Sequence, residues 1–189
     1  MNGSPATRPS RLRAWLGALR PATLLAGLNP VLVGCALAHA EGYTDLSIAL
    51  ACLVAALSVQ VASNLHNDVA DFERGADTEE RIGAPRASQQ GWIPARHLWM
   101  GSFAAIGLGL LAGGHLLSLV GWPVAAIAVA SIGGAYAYTG GPFPLAYHGL
   151  GDLFVVLFFG VVAVCGTYYV HAGTVTLPVF VISLSMGFL

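Results

Sequence analysis

Lysine is absent from this chain, and charge of either sign is scarce: eight arginines and nine acidic residues in 189, or 9%. A soluble globular domain carries about 25% charged residues. A surface that meets water on every side is therefore excluded, and no nucleic-acid partner is expected. Cysteine is sparse too. Cys35, Cys52 and Cys165 lie in apolar segments without paired spacing, which excludes a disulfide framework or a cysteine metal site and leaves them as small buried hydrophobes.

What the chain has in abundance is apolar sequence, 56% of its residues. Runs near or above about 18 residues recur, the length of a helix that crosses a bilayer. The fold expected is an all-α, polytopic transmembrane helix bundle, one domain over residues 1–189. Spans are predicted near Thr23–Ala40, Leu46–His66, Leu98–Val120, Pro123–Thr139 and Leu150–Val170, with Pro30 bending the first. A sixth starts near Thr176, but only 14 residues remain to Leu189. At 1.5 Å per residue these give about 21 Å of helix against a hydrocarbon core of about 30 Å. Five complete spans and a truncated sixth are expected.

The arginines orient the bundle. Arg8, Arg11, Arg13 and Arg20 precede the first span, and Arg74, Arg81, Arg86 and Arg96 lie between the second and third. With an inside N-terminus, an even number of crossings returns the chain to the same side. All eight are then cytoplasmic, as the positive-inside rule requires. The localisation implied is the cytoplasmic membrane of a bacterium, crossed several times, with the lipid bilayer as a constant partner. Arg8–Arg20 and the apolar run after it mimic a secretion signal, with "LVGC" and "ALA" as cleavage-like sites; the several later spans favour a retained membrane helix.

Six of the nine acids fall in one stretch, "NLHNDVADFERGADTEE" (Asn64 to Glu80). On a helix, Gln60, Asn64, Asp68 and Asp71 share one stripe, with Asn67 on its flank, and Gly75 offers the helix an end. Carboxylates three residues apart repel each other, and at a helix C-terminus they face the negative pole of the dipole. A divalent cation removes both penalties. Oxygen-only ligands suit Mg2+, which commonly binds through one or two carboxylates together with substrate phosphates. Arg74, Arg81 and Arg86 are near in sequence and able to hold further phosphate oxygens. Glu73, Glu79 and Glu80 read instead as a solvated loop pairing with arginines, and Asp77 fits either role. The residues by themselves point to a membrane-embedded Mg2+–diphosphate site and to no particular substrate.

"NDVAD" (Asn67 to Asp71) resembles the first acidic motif of the UbiA superfamily of intramembrane aromatic prenyltransferases. "NDVADFERGADTEERIGAPRA" (Asn67 to Ala87), "LRPATLLAGLNPVLVG" (Leu19 to Gly34), "YTGGPFPLAYHGLGD" (Tyr138 to Asp152) and "GTYYV" (Gly166 to Val170) resemble, in order, the naphthoate branch of that family. The resemblance implies Mg2+-dependent transfer of a prenyl group from polyprenyl diphosphate to 1,4-dihydroxy-2-naphthoate, with loss of CO2, giving a demethylmenaquinol. It assigns Asn67, Asp68, Asp71 and Asp77 to the metal, with Asp68 and Asp71 as catalytic carboxylates. Arg81, Arg86 and Arg20 then balance the diphosphate charge, and the loop 68–97 becomes a lid. Asn64, on the polar stripe, is a further candidate for substrate binding, and Tyr138, on the same side as the motif, either lines the cavity or anchors its helix. It also implies a second acidic motif at the end of a sixth helix. None occurs before Leu189, so the chain alone is expected to be inactive.

Other acceptors such as 4-hydroxybenzoate remain open, as does a non-catalytic fragment. A cation-coupled transporter would need polar residues continuing across the membrane, and the third to fifth spans have almost none. Among the remaining polar groups, His148 reads as a satisfied loop histidine and Asp152 as an N-terminal cap or dipole partner of the fifth span.

Overall fold

The computed structural model describes residues 8–75 and 85–188. The described residues form helices and turns without strands. A short helix α1, Arg11–Leu19, leads into α2, Pro21–Ala40, and α3, Leu46–Glu73. α4, Ala95–Val120, and α5, Trp122–Ala137, follow, then a 3₁₀ turn at Leu145–His148. α6, Gly151–Ala172, and α7, Leu177–Gly187, complete the bundle. α2, α3, α4 and α6 are each long and apolar enough to cross a membrane, while α5 and α7 are shorter apolar helices. The outside of the bundle is greasy: Leu111, Val129 and Leu177 are each more than 70% exposed. Such a surface is stable against lipid and not against water, so the chain is a multi-pass membrane protein.

Local chemistry sets the boundaries. Ser10 caps α1 by accepting the Arg13 N–H at 3.4 Å. Asp45 caps α3, accepting the N–H groups of Ser47 and Ile48 at 2.8 and 3.2 Å. Gly121, at φ 86°, breaks the chain between α4 and α5 in a conformation that a side chain resists. Apart from the end of α3, each span begins and ends within a few residues of its expected position. α3 runs past the apolar stretch expected to close at His66 and reaches Glu73, carrying the acidic motif on the helix as the polar stripe and the end offered by Gly75 predict, so the loop expected from 68 starts later. Pro30 is buried inside α2. The middle of α6, Val156–Cys165, is wound as a π-helix, a rare form that is frequent at functional sites.

α3 is the axis of the molecule, packing on α1, α2, α4, α5 and the end of α6. Around the C-terminal end of α3, Leu65, Val69 and Leu98 form a core with Ala14, Ala18, Ala87 and Ile93. Toward the opposite end, Val31, Cys52, Leu116, Val124 and Val170 form a second. α2 and α6 meet closely at Gly34, where a Cβ would lie 2.8 Å from both the Thr167 side chain and the Val164 carbonyl oxygen. Only glycine fits there. The turns after α2 and α6 share the end away from the motif, joined by the Tyr168 hydroxyl donating to Glu41.

Candidate active site at the end of α3

A cavity of about 570 Å³ runs between α2, α3, α4, α5 and α6. Over most of its length its wall is apolar, with Val31, Leu116, Val124, Ile127, Phe158 and Val162 among the lining residues. Most of its polar lining gathers toward the C-terminal end of α3, from Arg20, Gln60, Ser63, Asn64, Asn67 and Tyr138, with Ser131 and Thr167 farther along. A ligand with an apolar tail and a polar head matches that division.

The acidic motif divides its labour in a way that the expected stripe does not. At about 100° per residue, Asn67 lies about 20° from Gln60 around the helix, whereas Asp68 lies about 80° away. Asn67 therefore faces the cavity and Asp68 turns aside, the reverse of the expected arrangement. Asp68 is 1% exposed. Its carboxylate accepts the backbone N–H groups of Ala87 and Ser88 at 3.1 and 2.9 Å, and the Ser88 hydroxyl reaches it as well. Asp68 pins the first polar loop against α3. Asp71, one turn beyond Asn67, is buried and paired with Arg86. Its other oxygen accepts the Tyr147 hydroxyl at 2.6 Å. Asn67 accepts the Thr139 hydroxyl at 2.6 Å through Oδ1.

Arg20 joins α1 to α2 in the left-handed conformation, φ 52°, the one non-glycine at positive φ among the described residues. Such a conformation costs roughly 1–2 kcal/mol. Asn64 supports it: Nδ2 donates to the Leu19 carbonyl at 2.9 Å and to the Thr23 hydroxyl at 2.8 Å, while Oδ1 accepts from Gln60. Asn64 lines the cavity, yet its amide is occupied in holding the elbow that presents Arg20. Tyr138 also lines the cavity, its ring against Phe154 with centroids 5.2 Å apart. Arg74 faces the second polar loop, donating to the carbonyls of Thr139 and Gly141. His148 is satisfied within its loop by the Pro144 carbonyl at 2.8 Å. Asp152 lies in the first turn of α6 but makes no cap, a place taken by Leu150. Asp77, Glu79, Glu80 and Arg81 lie outside the described residues.

Residues 28–189 match the model of the UbiA prenyltransferase family. The chain belongs to that family.

Its relatives include 1,4-dihydroxy-2-naphthoate octaprenyltransferases. The Haemophilus influenzae enzyme is 34% identical over 95% of this chain and 61% of its own length. Those of Escherichia coli and Bacillus subtilis are 37% and 33% identical over 87% and 90% of this chain, and 56% and 55% of their own. The chain thus spans little more than half the length of these UbiA relatives.

Within this UbiA chain, the donors in place suit a hard cation by type. Asn67 and Asp71 offer oxygens on one line of α3, and a carboxylate has lone pairs beyond those that Arg86 and Tyr147 use. Asp68 is committed to the loop. Among the described residues, no three His, Cys, Asp or Glu side chains converge as a metal-binding group. Thr139 and Tyr147 lie in the resembling block Tyr138 to Asp152, but neither they nor Ser88 stand out by type or spacing. Each reaches the motif across 20 to 76 residues of chain, a tertiary pairing that no periodicity encodes.

Proposed function

We propose that this chain acts in prenyl transfer from a polyprenyl diphosphate to 1,4-dihydroxy-2-naphthoate in the cytoplasmic membrane. The N-terminus and acidic loop then face the cytoplasm. The observation that carries this reading is the cavity, a long apolar slot headed by Arg20, Asn67 and Tyr138; one helical turn beyond Asn67, Asp71 is paired with Arg86. Its apolar length suits the prenyl tail and its polar head the diphosphate. The apolar walls away from the motif offer no path for a cation and so favour an enzyme over a transporter. The acceptor follows the names of the relatives.

In this mechanism the allylic C–O bond breaks and its electron pair leaves with the diphosphate. In this reading the guanidinium groups of Arg20 and Arg86 balance that growing negative charge, and such preorganised charges act most strongly in a dry site. Mg2+, held through Asn67 and Asp71 with Asp77 a further candidate ligand, would supply charge neutralisation for the diphosphate. A ring carbon of the naphthoate attacks the prenyl cation, and the ring carboxylate departs as CO2. The apolar wall keeps water from the cation meanwhile.

The test is reconstitution of the protein in liposomes with Mg2+, a polyprenyl diphosphate and 1,4-dihydroxy-2-naphthoate. Prenylated naphthoquinol and evolved CO2 are expected. Asp71→Ala should lower kcat by a factor of about 10² or more, as loss of an electrostatic stabiliser does. Absence of product, full activity after Asp71→Ala, or a preference for 4-hydroxybenzoate would each defeat a part of the reading.

A further inference from the structure

We infer that α1 is an interfacial helix that binds the anionic headgroups of the surrounding bilayer and so steadies the first polar loop. α1 has three faces. Ala14 and Ala18, each 2% exposed, are buried against Leu65 and Val69 of α3 and against Ala87 and Ile93 of the loop. On another face Leu12 and Leu16, four residues apart, are 70% and 47% exposed. Arg11 and Arg13 are also exposed and flank these leucines on either side, whereas Arg8 is occupied by the carbonyls of Gly91 and Trp92.

Leu12 and Leu16 fit the acyl boundary, and the arginines fit the headgroups just above it. A short helix of this kind at the mouth of a membrane bundle matches an anionic lipid surface in both charge and depth. A soluble acidic partner would match the arginines and leave the leucines in water.

The consequence reaches the motif through contacts already described. Arg8 donates to the carbonyl of Gly91 at 3.0 Å. α1 packs on Ala87 and Ile93, the same loop whose Ala87 and Ser88 N–H groups hold Asp68 and whose Arg86 pairs with Asp71. A helix held on the membrane surface therefore holds that loop in place. The inference is independent of which reaction the cavity performs.

Amide hydrogen exchange on the whole protein in nanodiscs tests it without an activity assay. In discs containing phosphatidylglycerol, residues 11–19 and 87–93 should exchange more slowly than in pure phosphatidylcholine discs, by up to about thirtyfold for two arginines at an anionic surface. High salt should remove the difference. The variant Arg11→Gln/Arg13→Gln alters only exposed positions and should exchange in both discs as the parent does in phosphatidylcholine. Equal exchange of the parent in the two lipids overturns the inference, as does a lipid effect that survives the double substitution. Protection that appears only in discs holding two copies of the chain also overturns it, in favour of self-association.

Discussion

Asp68 and Asp71 are three residues apart and buried alike, yet their partners give them different work. Removing the Asp68 carboxylate strands two backbone N–H groups, at about 1–3 kcal/mol each. Asp68→Ala should therefore release the loop: trypsin cleavage after Arg86 and Arg96 accelerates, and the melting temperature falls. Tyr147 is a subtler case. It is half exposed and donates one hydrogen bond to a charged acceptor, so Tyr147→Phe should leave the fold intact and loosen Asp71. An increase of about tenfold in KM for the prenyl diphosphate, with little change in kcat, corresponds to one such bond. An unchanged KM would make Tyr147 a mere neighbour. Composition and motif spacing marked Asn67, Asp68 and Asp71 together as a candidate site. They did not show that Asp68 holds the loop at Ser88 or that Tyr147 reaches Asp71, because side-chain direction at a helix end is settled by what packs against it.

The helices themselves were written plainly in the chain, since an apolar run of span length bounded by turn residues has few other solutions. α3 shows both the strength and the limit of that rule. Its start at Asp45 is a cap readable from sequence. Its continuation past His66 is marked by the polar stripe and by Gly75, not by hydropathy, and tertiary partners satisfy Asn67, Asp68 and Asp71 there. The Asp45 cap also gives α3 a pH dependence. Hydrogen bonds from the Ser47 hydroxyl and from the N–H groups of Ile48 and Ser47 hold its carboxyl below the ordinary aspartate range. The folded-state pKa thus lies below the unfolded value of about 3.9, so its stabilisation is complete above that value and is lost as pH falls through the folded pKa. Acid melting curves of the protein and of Asp45→Asn should therefore differ in slope only on the acidic side. The π-helical winding of Val156–Cys165 had no counterpart in the sequence reading.

Across the whole molecule, polarity sorts by end. The acidic motif, both polar loops and every described arginine are at one end or on the approach to it, and the turns near Glu41 and Gly173 are at the other. Charge counting along the sequence had already separated these ends. Alkaline phosphatase fused after Gly42 should therefore be active outside the cell, and the same fusion after Gly91 should be silent; the opposite pattern would invert the orientation. The carboxylate at Asp71 has one further consequence, for the order of synthesis. Its partners come from loops that follow it in the chain, Arg86 before α4 and Tyr147 before α6. When the ribosome has delivered α2 and α3, neither partner has emerged, and the carboxylate must wait at the membrane surface in contact with water. The pair of loops can close over it only after α5 has been inserted and its C-terminal residues have returned to the same side. Biogenesis thus passes through an intermediate with a solvated motif, and any factor that shields nascent membrane helices would meet this chain in that state.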